Sequence, residues 1–302
     1  MTNTDKTMRC RPAALPGFDQ PLADFLRSLG AKNRSDATVL AYETDLRQFF
    51  AFLAANNVAA TSPESVERVD LLEFLADLGS RGVSGVSRAR KLAAIREFFR
   101  FLVADDTLAR SPATGVETPR RERNVRTYLR PEEYSRMLAL AGGNARDYAM
   151  LETFLQTGVR VSELCALTLD DVDLDGHVMR VRGKGMVARE VDLERNGLLA
   201  LKSWLSVRPR GMSSHIFLNK DGQPFSVRGV RKLVEKYRRL AGISRRASCH
   251  SLRHTFATYK AERGISAFQL QRWLGHASVA TTQIYVHLGR QNARKLMEAT
   301  SL

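Results

Sequence analysis

Apolar residues in the first third of the chain recur at steps of three and four. In "ATVLAYETDLRQFFAFLAANN" they fall at Val39, Tyr42, Leu46, Phe49, Phe50 and Leu53, the stripe of an amphipathic helix. "RVDLLEFLADLG" repeats the period and predicts a stop at Gly79, since a residue without Cβ suits a left-handed cap. In "SRARKLAAIREFFRFLVADD" the stripe is Leu92, Ile95, Phe99 and Leu102, with Arg88, Lys91, Arg96 and Arg100 expected on a solvated basic flank. A shorter helix, "PLADFLRSLG", comes before these three. The pattern predicts a small all-helical domain over residues 17–115.

The periodicity then lapses. "SPATGVETPRRERNVRTYL" mixes proline, glycine and alternating charge, which marks a linker, and residues 116–126 are its basic centre. Arg120, Arg121 and Arg123 suit a strap across a phosphate backbone. Helical patterning resumes in "RPEEYSRMLALAGG" and "ARDYAMLETFLQTG". The period next falls to two in "DVDLDGHVMRVRGKGMVAREVDL", where Asp175-Gly176 and Gly183-Lys184-Gly185 divide short β-branched runs. Two or three antiparallel strands are predicted there, and helices from "RNGLLALKSWLSV" onward. The second domain, residues 127–302, is therefore mainly α with one small antiparallel sheet.

Composition narrows the class. The chain has 302 residues, 44% apolar and 26% charged, as expected of a globular protein of two domains. No apolar run reaches membrane-spanning length, and the first thirty residues are too polar for a signal peptide. Cys10, Cys165 and Cys249 are scattered, with neither a disulfide framework nor metal-ligand spacing, which fits a reducing cytoplasm. Charge is the strongest compositional signal. The net value is +15, with about +1 on residues 1–115, +2 on 116–126 and +12 on 127–302. A polyanionic partner, nucleic acid above all, is the expected consequence.

Chemistry-bearing residues gather in the second domain. In "TGVRVSEL", Gly158 ends one helix and Arg160 opens the next, where free N–H groups favour an anion; Glu163 can hold the guanidinium. Lys184 stands between glycines at a hairpin tip. "HSLRHTF" places His250, Arg253 and His254 on one helical face, with Leu252 and Phe256 on another. In "WLGHASVATTQIYVHL", Gly275 ends a helix, His276 follows, and Tyr285 flanks the apolar face of the next one. Singly, each has an ordinary explanation: a surface ion pair, a solvated turn lysine, a half-buried tyrosine. As a set they match the needs of a phosphodiester. Guanidiniums can fork onto its non-bridging oxygens, and a near-neutral histidine can move a proton.

The series "TGVRVSEL", "RGKG", "HSLRHTFAT", "LGHAS" and "TTQIYVH" resembles, in order and spacing, that of the tyrosine recombinases (the phage integrase family), nearest to the Xer type and similar resolvases. The resemblance implies an N-terminal helical core-binding domain, SAM-like, and a C-terminal catalytic domain of the DNA breaking–rejoining fold. By that resemblance Tyr285 is the nucleophile, Arg160 and Arg253 clamp the non-bridging oxygens, and His276 bonds the phosphate. His250 serves in proton transfer at the tyrosine, Lys184 protonates the departing 5′-oxygen, and Glu163 supports Arg160. Arg88, Lys91, Arg120, Arg121 and Arg123 are candidate DNA contacts, and His254 is assigned to packing or phosphate contact. Double-stranded DNA at a specific site is the implied partner, and a homotetramer or a heterotetramer with a sister recombinase the implied assembly. No cofactor or metal is expected, because exchanging one phosphoester for another retains the bond energy. "YKAERG" after Thr258 is more polar than in many Xer-type chains, which argues against a housekeeping role in resolving chromosome dimers. A regulator that keeps the fold without catalysis, and a monomeric type IB topoisomerase, are the rival readings.

Overall fold

The computed structural model describes residues 15–57, 59–120, 127–183, 188–211, 213–275 and 282–285. The chain divides into two compact units, Met1–Asn124 and Val125–Leu302. Lys184, His276, Arg121, Arg123 and the tail after Tyr285 lie outside the described residues.

The first unit holds helices α1 (Pro16–Ala31), α2 (Asp36–Asn56), α3 (Arg68–Ser80) and α4 (Gly85–Ala104). The predicted stripes of α2 and α4 form its core: Leu46, Phe49, Leu53, Leu92, Ile95, Phe99 and Leu102 are all buried. Phe98 joins them, making an edge contact with Phe25 of α1 at 5.6 Å between ring centroids. Two expectations are corrected. Helix α3 runs through Gly79 to Ser80, and Gly82, at φ +73°, takes the left-handed position. Lys91 does not face water. It is 6% exposed, and its Nζ lies 2.9 Å from Oδ1 of the wholly buried Asp45 on α2. The reason is geometric: with Phe98 counted, Lys91, Ile95, Phe98 and Leu102 line up at steps of four, three and four, so Lys91 continues the apolar stripe. Arg90 caps the same carboxylate from its exposed side. Arg88 is half-buried, against Gly79; Arg120 is exposed.

The second unit begins with α5 (Pro131–Ala141), α6 (Ala145–Thr157) and α7 (Val161–Ala166). Strands β1 (Val172–Asp173), β2 (Val178–Arg182) and β3 (Ala188–Asp192) form an antiparallel sheet in that order, with Val181 opposite Arg189. Helices α8 (Arg195–Val207), α9 (Val227–Leu240), α10 (Cys249–Glu262) and α11 (Ala267–Leu274) follow, and residues 282–285 form a helical turn. Helix α6 is the central element, packed on α8 and α10, while α11 touches both α10 and β3. The core includes Met150, Phe154, Leu201, Val234 and Leu252. The mainly helical fold with one small antiparallel sheet is as the sequence predicts.

Candidate active site

A left-handed turn opens the site. Gly158 ends α6 at φ +61°, a conformation side chains rarely adopt, and a Cβ there would lie 2.4 Å from the Phe256 ring. Glycine is therefore required twice over, for φ and for close approach to α10. The turn delivers Arg160 to the N-cap of α7. Its backbone N–H donates to Glu163 Oε2 and its Nη1 to Oε1, both at 2.7 Å, so a carboxylate three residues on fastens backbone and guanidinium together.

Glu163 has a second partner that the sequence reading did not single out. Arg189, on β3, donates through Nη1 and Nη2 to the same two oxygens, at 3.0 and 2.7 Å. Burial alone would push the Glu163 carboxyl up. The hydrogen bonds from Arg189 and then from the Arg160 amide, with the charge of Arg189, outweigh it and hold the carboxyl at about 2. Glu163 is thus a buried anion at neutral pH. The overlooked signal was strand alternation: Arg189 shares its face of β3 with the buried Val191, and a cation on an inward face needs a buried partner.

The end of α11 is the other anchor. Helix C-termini leave carbonyls without intrahelical donors and carry partial negative charge. Here three successive carbonyls each accept from a different arginine: Trp273 O from Arg189 Nε at 2.6 Å, Leu274 O from Arg253 Nη2 at 2.6 Å, and Gly275 O from Arg160 Nη2 at 2.9 Å. Gly275 itself is left-handed at φ +61°. Arg253 also donates through Nη1 to Gly158 O at 2.7 Å, joining the ends of α6 and α11. It is 3% exposed, and burial, followed by the neighbouring Arg160 charge, lowers its pKa to about 10, still cationic at neutral pH. Of the three residues expected on one face of α10, Arg253 is buried, His254 half-buried and His250 exposed.

Around these cations stand two histidines and the tyrosine. Exposed His250 is held below the ordinary imidazole value, by partial desolvation first and then by the charges of Arg253, Arg160 and Arg231. It is neutral at pH 7 and able to accept a proton. His254, one turn on, stacks beside it at 6.2 Å between ring centroids. Tyr285 is 1% exposed, in a small apolar cluster with Phe256, Ala257 and Leu274. Its hydroxyl lies 2.5 Å from His254 Nδ1. In this structure His254, rather than His250, meets the phenol, and packing alone understates it. The site thus unites Arg160, Glu163 and Arg253, with His250 and Tyr285 at its margin, and adds Arg189 and His254. Arg88, Lys91 and Arg120 belong to the other unit.

Comparison with known proteins gives two family matches: the phage integrase family over residues 127–292 and the phage integrase N-terminal SAM-like domain over residues 22–106. Tyrosine recombinase XerC of Thermodesulfovibrio yellowstonii is 35% identical over 85% of this chain and 87% of its own length. Tyrosine recombinase XerD of Bifidobacterium longum is 33% identical over 90% of this chain and 94% of its own. Among solved structures, XerH site-specific recombinase bound to a palindromic difH substrate, a post-cleavage complex, superposes with a TM-score of 0.74 at 24% identity. That match covers 93% of this chain and 83% of the other, and it speaks to the fold.

Proposed function

The chain belongs to the phage integrase family, and on that premise we propose that it is a site-specific tyrosine recombinase, which cleaves and rejoins DNA strands through a 3′-phosphotyrosyl intermediate. The observation that carries the reading is the convergence of Arg160, Arg189 and Arg253 on three successive carbonyls beside Tyr285. Guanidiniums ordered before substrate arrives meet developing negative charge without reorganisation, which is what electrostatic catalysis requires.

In the proposed reaction, Arg160 and Arg253 turn spare N–H donors onto the non-bridging oxygens of the scissile phosphate. The Tyr285 oxygen attacks phosphorus, its proton passing to neutral His250. A phosphotyrosyl ester forms at the 3′ end while the bond to the 5′-oxygen breaks. Lys184 supplies the proton to that oxygen, His276 bonds the phosphate, and Glu163 keeps Arg160 in place. Tyr285 is enclosed in the unbound chain, so DNA binding must bring its hydroxyl out from His254. One ester replaces another, so the step needs no ATP, and fixed cations supply the charge a metal would otherwise provide. Rejoining is the reverse reaction, with a 5′-hydroxyl as nucleophile.

Residues 17–115 are proposed as the core-binding domain, 116–126 as a basic linker and 127–302 as the catalytic domain. Arg88, Arg120, Arg121 and Arg123 remain candidate DNA contacts. Strand exchange joins two duplexes and uses four sites, which makes a tetramer on DNA, of this chain alone or with a sister recombinase, part of the proposal. The site of action is where the DNA is, inside the cell; among the described residues no helix is long and apolar enough to cross a membrane. The test is to incubate the protein with a library of nicked suicide duplexes in EDTA. A covalent protein–DNA adduct is expected from the wild type and none from Tyr285→Phe. Equal adduct from both would refute the reading.

A further inference from the structure

We propose that Arg189 is a positioning residue for strand cleavage, setting Arg160 through Glu163 while holding the end of α11. This rests on the recombinase reading and deepens it. The strand residue makes three hydrogen bonds and each has a distinct consequence. Two go to Glu163, at 3.0 and 2.7 Å, and with them the carboxylate stays ionised despite burial, so that it can fasten Arg160. The third goes to Trp273 O, two residues before the glycine whose carbonyl receives Arg160. One side chain therefore fixes both groups that hold the Arg160 guanidinium: the carboxylate on one side and the helix end on the other.

Relative exposure distinguishes Arg189 from Arg160, its fellow partner on Glu163. The Arg189 side chain is 11% exposed and that of Arg160 is 35%, so of the two cations sharing Glu163 it is Arg160 that faces the solvent side, where a DNA backbone arrives. Space is also closed around Arg189. A Cβ on Gly275 would sit 3.1 Å from its Nη1, so the left-handed glycine both turns the chain and leaves room for the guanidinium. A lysine could carry the charge here, but its point-like ammonium cannot fork onto two carboxylate oxygens and reach a carbonyl as well. The geometry also gives strand β3, paired antiparallel with β2, a fixed attachment to the clamp.

The experiment measures cleavage rate at saturating suicide duplex, DNA affinity and thermal midpoint for Arg189→Met, Arg189→Lys, Arg160→Ala and the Arg160→Ala/Arg189→Met pair, all in the full-length chain. Arg189→Met is expected to slow cleavage by roughly 10–100-fold with DNA affinity unchanged, a smaller loss than the roughly 10²–10³-fold of deleting a transition-state donor. Arg189→Lys should recover part of the rate. The double variant should be no slower than Arg160→Ala alone, because Arg189 acts through Arg160. Wild-type rate in Arg189→Met, additive losses in the pair, or a loss confined to DNA affinity would each overturn the proposal. If Arg189→Met does not fold, the Lys variant decides: a wild-type rate there removes the need for the fork. Absence of any wild-type adduct would count against the recombinase reading, whereas a wild-type adduct with an indifferent Arg189 would count against this inference alone.

Discussion

A carboxylate buried against two cations is found in each unit of the molecule, and the clusters around Asp45 and Glu163 serve different ends. In the first unit Asp45 lies wholly buried between α2 and α4, met by Lys91 at 2.9 Å and by Arg90. In the second, Glu163 is 6% exposed and met by Arg189 and Arg160. Asp45, Lys91 and Arg90 sit within α2 and α4 and answer one another's charge. Glu163 and Arg160 sit at the start of α7 and Arg189 on β3, and the two guanidiniums also complete carbonyls at the end of α11. Burial of a charge pair is thus no mark of chemistry by itself. What distinguishes the second cluster is that its cations also fasten the helix end beside Tyr285.

The sharpest way to separate the two is to break each. Arg253→Ala should reduce cleavage by roughly 10²–10³-fold at saturating DNA, as for loss of a charge-stabilising donor. Asp45→Asn should leave the cleavage rate per folded molecule unchanged but lower folding stability by about 3–5 kcal/mol, because Lys91 is left buried without a counter-charge. Suicide-duplex kinetics and urea unfolding on the same preparations check both. A cleavage defect in Asp45→Asn that remains after correction for folded fraction would erase the contrast.

Replacing both members of the first pair tests it further. Asp45→Leu/Lys91→Met should fold with stability near the wild type, since a buried ion pair is often no better than well-packed apolar side chains. The slope of log affinity against log salt should not move. A phosphate-contacting lysine would instead reduce that slope by about one, and such a reduction would restore the reading of Lys91 as a DNA contact.

The second cluster predicts an acid signature. The Glu163 carboxyl is held at about 2 against an ordinary 4.5, so its contribution of about 3 kcal/mol is complete above pH 4.5 and is lost as pH falls toward 2. Wild type minus Glu163→Gln stability, measured by urea unfolding across this range, should shrink as pH falls. A difference that is flat with pH would contradict the ionised carboxylate. The smallest effect concerns His250. Cleavage should fall only below the ordinary imidazole value of 6.5, and Arg231→Gln, by removing one of the charges that lower it, should move that acid limb upward. An unmoved limb would take His250 out of the titration.

Much of this was legible in the sequence. The apolar periods located the helices and the sheet, because burial dictates them, and the glycines at 158 and 275 marked helix ends because a residue without Cβ takes the left-handed turn at least cost. Arg160, Glu163 and Arg253 could be read from local context for the same reason. Lys91 was misplaced because four apolar positions satisfied the helix without Phe98, and the stripe that includes Phe98 passes through the lysine. Arg189 was passed over because its partners lie 26 and 84 residues away, on α7 and α11, and only tertiary structure makes them neighbours. The contact between His254 and Tyr285 is likewise a matter of packing, 31 residues apart along the chain.

The claim at the centre of the account is that the Tyr285 oxygen becomes bonded to a DNA phosphorus beside the Arg160 and Arg253 guanidiniums. Digesting the trapped adduct with protease and nuclease, then sequencing the modified peptide by mass spectrometry, tests it directly. The account predicts a nucleotide joined through its 3′-phosphate to Tyr285, with a free hydroxyl on the opposing 5′ end. A nucleotide on any other residue, or a 5′-phosphate at the break, would contradict it.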